Sequence, residues 1–319
     1  MQRPRSLREA DDPRNGPITF RQQLLSEGVN DQAIGRMVRS GALVRVRDGA
    51  FVSPDVWSRL DEVGRYGLRC RAVLGQAKAP VVLSHVSGLP EWEAPTWGFS
   101  LDDVHLTRTD GIRGRRAAGV QQHIGKVRPH DITVVNGVPT MTPPRLALET
   151  VTLGSSEASL VVMNDLAHRG LVTAEQLRDQ YVFMQTWPGM SAAEVLLRLV
   201  DPRIESVGET RTFWAIYQQR LPRPVSQFEV KDASGRVIAR LDFAWPELGV
   251  WLEFDGRTKY EKHLRAGERA SDVVVREKQR EDLVRRLTGW RCIRVTWADL
   301  ENPMRLAAII HQALYPSAA

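Results

Sequence analysis

The chain has 319 residues, 42% hydrophobic and 26% charged, proportions that exclude a disordered or fibrous protein and suit roughly two or three folded domains. The formal net charge is +6, almost all of the positive charge arginine, since Lys78, Lys126, Lys231, Lys259, Lys262 and Lys278 are the only lysines. That balance favours a polyanion as partner, although a GC-rich genome enriches Arg and Ala whatever the function.

Residues 1–16, MQRPRSLREADDPRNG, mix charges with Pro and Gly and hold no apolar run, which predicts a disordered lead-in and no signal peptide. Thr19 is placed to cap a short helix through Ser26, ended by Gly28. Asp31 is placed to cap a second helix over 32–40, with Ile34, Met37 and Val38 as its apolar stripe and Gly41 as its stop. LVRVRDGAFV then gives two alternating runs around an Asp-Gly turn, the strongest short signal for a hairpin. Helix, turn, helix and basic hairpin predict a winged helix-turn-helix over 17–56. Arg36 and Arg39 on its second helix, with Arg45 and Arg47 on the wing, are its candidate DNA contacts. Winged helices also serve as protein-binding or dimerisation modules, so a homodimer stays open.

Residues 57–78 read as helical, with Trp57, Leu60, Val63, Leu68 and Val73 at roughly helical spacing. From 81 to 138 the texture turns to short strand-like pieces, VVLSHVSGL, DVHLT and DITVV, around the Gly-rich basic run of Arg113, Arg115 and Arg116. Pro143 and Pro144 open a helix through Val151, and two more helical segments cover 156–169 and 173–184. Residues 57–200 thus predict a mixed α/β region. His85, His105, His123 and His130 have no metal-ligand spacing there and read as structural histidines. The tryptophans, Trp92, Trp97 and Trp187 among them, read as core or domain-interface residues. Cys70 and Cys292 are the only cysteines, too far apart in sequence for a disulfide framework or a zinc finger. No stretch approaches the ~18 apolar residues of a membrane span, so a soluble, cytoplasmic protein without membrane contact is expected.

The last part predicts a helix over 208–220, alternating strands, a long helix over 273–287 ended by Gly289, the strand RCIRVTW, and a closing helix over 303–314. Its most informative stretch is GRVIARLDFAWPELGVWLEFDG. Val237, Ala239, Leu241, Phe243 and Trp245 alternate onto one face, as do Val250, Leu252 and Phe254, and Pro246 to Gly249 form a natural turn. Counting outward sets Trp245 opposite Val250, Phe243 opposite Leu252, and Asp242 opposite Glu253, with Asp255 on the face of Glu253. Opposed residues lie roughly 4.5–5.5 Å apart and like charges there destabilise, so three carboxylates on one patch call for a counter-charge. A hard divalent cation, Mg²⁺ or Mn²⁺, supplies one; nearby arginines such as Arg240 are the plainer alternative.

This stretch resembles the restriction-endonuclease-like (PD-(D/E)XK) superfamily, and within it the domains similar to very-short-patch-repair endonucleases. The matching pieces, over about 205–312, are Glu209 in SVGETRT, Asp242 in LDFAWPE, Glu253 and Asp255 in WLEFDG, Lys259 in DGRTKY, then REKQREDLVRRLTGW and RCIRVTWADL. The resemblance implies an α/β/α nuclease domain over 205–315. It implies that Asp242 and Glu253, joined by Asp255, hold the metal, and that Glu209 assists directly or through water. The superfamily commonly carries a lysine two residues after the strand acid. Here that position is Asp255, and Lys259 beyond it is the cation that would neutralise phosphate. On the following helix Glu281 and Asp282 are further acidic candidates, although i,i+4 charge pairs usually mark a solvated face, and Arg280 is a candidate phosphate contact.

The pattern FRQQLLSEGVNDQAIGRMVRSGALVRVRDGAFV is similar to the N-terminal winged helix of AbiEi-type abortive-infection antitoxins, and SHVSGLPEW and GVPTMTPPRLALETV to the region that follows it. That resemblance implies operator DNA and a cognate toxin-like protein as partners. The expected fold is therefore a multidomain α/β chain: winged helix-turn-helix, mixed α/β region, nuclease-like domain. Three functions compete: a DNA-binding, metal-dependent endonuclease in defence or repair, an antitoxin-like regulator whose nuclease fold no longer cleaves, and a protein-interaction module without nucleic acid.

Overall fold

The structure is a computed structural model that describes residues 6–256 and 270–316. The chain is mixed α/β with three sheets and divides into two compact units, Met1–Leu166 with Gly170–Leu199, and Ala167–Arg169 with Val200–Ala319. Among the described residues no helix is long and apolar enough to cross a membrane.

The first unit opens with β1 (Thr19–Phe20), α1 (Arg21–Ser26), α2 (Asp31–Arg39), β2 (Val44–Arg47) and β3 (Ala50–Val52). Thr19 does not cap α1; it lies in β1, paired with Phe51, so the small sheet has the order β1-β3-β2. Nor does Asp31 cap α2. Asn30 does, its side chain accepting from the Ala33 N–H at 2.9 Å, and Asp31 is the first helical residue, ion-paired to Arg21. Ile34 of the expected stripe is buried with Leu24 and Phe51, and Val38 packs against them. A second cluster of Val52, Leu60 and Leu68, with Val44 and Val46, fixes the hairpin to the next helices.

Those helices are α3 (Pro54–Ser58) and α4 (Glu62–Gly75), so the helical run expected over 57–78 is interrupted, with Asp61 capping α4. A six-stranded sheet follows, built from β4 (Val81–Leu83), β5 (Val104–Arg108), β6 (Arg116–Ala117), β7 (Val120–His123), β8 (Ile132–Val135) and β9 (Val138–Met141) in the order β6-β7-β5-β4-β9-β8. β8 and β9 are joined by Asn136 and Gly137, whose φ values of 49° and 78° are those a two-residue hairpin turn requires. VVLSHVSGL is only partly a strand: after Leu83 the chain turns into a buried 3-10 segment, His85–Trp92, that includes Pro90. Helices α5 (Pro143–Val151), α6 (Ser156–His168), α7 (Ala174–Met184) and α8 (Ala193–Leu199) complete the unit. The lead-in expected to be disordered is ordered over 6–16. Arg8 is buried, 3.2 Å from the buried Glu91 carboxylate, which also takes a two-pronged pair from Arg71.

The second unit runs α9 (Val207–Gln218), β10 (Val225–Lys231), β11 (Val237–Trp245), β12 (Val250–Asp255), α10 (Ala270–Thr288), β13 (Arg291–Thr296), α11 (Trp297–Leu300) and α12 (Pro303–Leu314). The sheet order is β10-β11-β12-β13, antiparallel until β13, which runs parallel to β12. Helices cover both faces. Trp251 and Leu241 pack with Val284 of α10, whereas Phe243 stacks on Phe213 of α9.

Candidate functional site

Glu209 lies in the first turn of α9 and is buried. Ser206 caps that helix: its Oγ accepts from the Glu209 N–H at 3.2 Å and donates to Glu209 Oε1 at 2.7 Å. Glu209 Oε2 accepts from the Glu205 N–H at 3.1 Å and from Gln227 Nε2 at 3.0 Å. This reciprocal Ser/Glu pairing is a capping arrangement in its own right. It also fixes one carboxylate over the sheet.

Gln227 is the residue that sequence reasoning missed. It falls between the register pairs Ser226↔Phe243 and Phe228↔Leu241, at the position of Asp242, and has a left-handed φ of 52°. The break has a consequence for alternation. Leu241 sits in the cluster with Ala244 and Trp251, while Phe243 meets Phe213 on the other side. The odd-numbered residues of 237–245 therefore do not share one face as expected; the strand turns over at Asp242, as at a bulge.

Asp242 is 9% exposed, and its Oδ2 accepts from the Phe254 N–H at 2.8 Å. The counted pairs Phe243↔Leu252 and Trp245↔Val250 are present, but the ladder between these strands stops there, and the Asp242 side chain makes the next bond to β12. Glu253 follows Leu252 on the α10 side, and its Oε2 accepts from Arg280 Nη2 at 3.0 Å. Arg280 Nη1 also reaches the Arg240 carbonyl at 3.3 Å, while the Arg240 guanidinium pairs with Glu205 at 2.5 Å. Beside them Arg294 and Arg285 each hold Glu281 at 2.6 Å. Burial alone would raise the Glu281 carboxyl, but the Arg294 hydrogen bond and the charges of Arg294, Arg285 and Arg280 keep it below its ordinary value. Asp255 ends β12, half-buried, level with Thr296 of β13. Asp282 is exposed. Lys259 lies outside the described residues.

Glu209, Gln227, Asp242 and the backbone of Phe254 thus form a row from α9 across three strands, with Glu253 next to its end. Among the described residues no group of three or more His, Cys, Asp or Glu side chains is placed to hold a metal. Mg²⁺ is usually held by one or two carboxylates and completes its shell with water. Asp242 with Glu253 fits that requirement in the chemistry of its oxygens; a cage of three closed by Asp255 is not formed. Arg280 already supplies part of the counter-charge that Glu253 needs.

In the first unit Arg36, Arg39 and Arg45 are exposed, and Arg47 is half-buried. Arg36 and Arg39 occupy the last turn of α2, where cations also complement the helix dipole. Arg45 pairs loosely with Asp48 at 3.4 Å.

A further cluster was not foreseen from the scattered histidines. His85 stacks on His123 with ring centres 3.8 Å apart, and His105 on His123 at 5.1 Å. His105 Nδ1 and His123 Nε2 share a hydrogen bond of 2.8 Å. Burial pushes His105 and His123 down to about 4, and burial together with the neighbouring imidazoles holds His85 well below its ordinary value. The backbone N–H of His85, at a left-handed φ of 53°, donates to Glu149 Oε2 at 2.9 Å. His130 is exposed and stands apart.

Comparison with protein-family models gives no match, and none of the curated protein sequences matches the chain.

Proposed function

We propose that the second unit is a restriction-endonuclease-like domain that hydrolyses phosphodiester bonds in DNA, carried to its substrate by an N-terminal winged helix. The observation that carries this reading is the row of Glu209, Gln227 and Asp242 beside Glu253 on an α-β-β-β-α-β frame. The elements follow the order in which that superfamily bears its acidic residues. Asp242 and Glu253 would hold Mg²⁺ or Mn²⁺, which when bound polarises a phosphate oxygen and acidifies an attacking water. The chain's own residues do the positioning. The Phe254 N–H orients Asp242, Ser206 and Gln227 orient Glu209, and Arg280 steers Glu253 and is within reach of a phosphate bound there.

Cleavage of plasmid and of mismatched or branched duplexes with Mg²⁺ or Mn²⁺ tests the reading. Asp242→Ala and Glu253→Ala are expected to abolish it, and cleavage surviving both substitutions would remove the site. A second reading, an antitoxin-like regulator that binds an operator and answers to a toxin-like partner, is favoured by two observations. Asp255 stands where the superfamily carries a lysine, and Glu253 is already engaged by Arg280. Salt-sensitive operator binding without cleavage on any substrate would select it.

A further inference from the structure

A groove of about 590 Å³ opens in the first unit between the hairpin, the end of α4 and strands β5, β7 and β6 of the six-stranded sheet. Arg47 enters it from β2, Lys78 from beyond α4, Arg108 from β5, and Arg113 and Arg115 from the segment before β6. Among the described residues no acidic and no aromatic side chain lines it. Arg108 is paired with Asp110 at 2.5 Å, but Arg47, Lys78, Arg113 and Arg115 are in no ion pair with any described residue. Four cations facing one trough without acids repel one another, so the fold gains nothing from this arrangement on its own. Small residues, Ala77, Ala79, Ala117 and Ala118, leave the walls open to a bulky ligand.

We propose that this groove is a second nucleic-acid site, which grips the phosphate backbone of duplex DNA flanking the segment met by the α2 helix and the wing. The ligand class follows from what lines the trough. Unpaired guanidinium and ammonium groups suit phosphate oxygens. The lack of aromatic rings removes the stacking platforms that single-strand binders use. Arg47 belongs to both the wing and the groove, so one duplex can touch both. The contact is to backbone and carries no base information. It rests on the winged-helix reading only for the direction in which the duplex continues.

The test is fluorescence anisotropy of the full chain with duplexes of several sequences over a range of salt concentrations. Arg113→Ala with Arg115→Ala is expected to weaken every duplex alike and to lower the salt slope by about two, close to one for each phosphate that is no longer neutralised. Lys78→Gln, which leaves the wing untouched, is expected to weaken every duplex and to lower the slope by about one, should the first pair disturb folding. An unchanged slope and affinity in both would overturn the groove site, as would loss of binding to phosphatidylserine vesicles with duplex binding intact. Arg36→Ala with Arg39→Ala separates the two ideas. If it alone weakens binding, the groove fails and the winged-helix reading stands. If only the groove variants weaken binding, the converse holds. No duplex binding by the unaltered protein at low salt would sink both.

Discussion

His105 and His123 show how much a fold can demand of single residues. Each titrates near 6.5 in the unfolded chain and is held at about 4 in the fold. Between those values the unfolded state takes up protons that the folded state refuses, so stability falls as pH drops from 6.5 through 4. The expected loss between pH 7 and pH 5 is on the order of 2 kcal/mol for each imidazole, read as a lower melting temperature. Burial raises the nearby Glu149 carboxyl, which gives the opposite slope. Comparing the protein with a His105→Gln, His123→Gln variant isolates the imidazoles: the variant should lose less on acidification, and equal losses would refute the assignment. Neither this cluster nor Gln227 was legible in the sequence. His105 and His123 meet only because β5 and β7 are parallel neighbours, a pairing that nothing local encodes. Gln227 takes a left-handed backbone inside a strand, which no propensity of glutamine suggests. The pairs Phe243↔Leu252 and Trp245↔Val250 were legible because both runs count out from a short turn.

At the scale of elements, α9 packs closely on β12 where Gly208 meets Phe254. A Cβ added at Gly208 would lie 2.0 Å from the Phe254 ring, which itself meets Trp297 edge-on. Gly208→Ala is therefore expected to destabilise the second unit by about 1–3 kcal/mol and to lift the start of α9 with Glu209 on it. Chemical denaturation and the cleavage assay read the two effects; an unaltered midpoint would show that the helix start is free to yield. The β11-β12 hairpin followed from its sequence because four turn residues fix the register. The strand's change of face at Asp242 did not, since alternation continues through it on paper. VVLSHVSGL misled for a related reason: Gly88 and Pro90 mark where an extended run must end, yet the apolar residues on either side continue because the 3-10 segment is buried as fully as a strand would be.

Over the whole molecule, the division near residue 200 separates the proposed duties. Residues 1–199 expressed alone are expected to bind duplex DNA, and residues 200–319 to carry any metal-dependent cleavage. Cleavage that persists in the first piece would reverse the assignment. The units also differ in how they can form. β13 joins β12 in parallel, which antiparallel neighbours linked by a short turn never require, so the second sheet closes only once the crossover between them has been made.

The burial of Arg8 against Glu91 bears on where the protein can be cut. A gene trimmed to begin at residue 17, as the polar look of the first 16 residues invites, would leave Glu91 with Arg71 as its one ion-pair partner among the described residues. The shortened protein is expected to be less stable by on the order of 2 kcal/mol, and a fusion tag joined directly before Arg8 would press on the same buried pair. The place for a tag, or for a protease site to remove it, is upstream of Ser6 or at the other end of the chain.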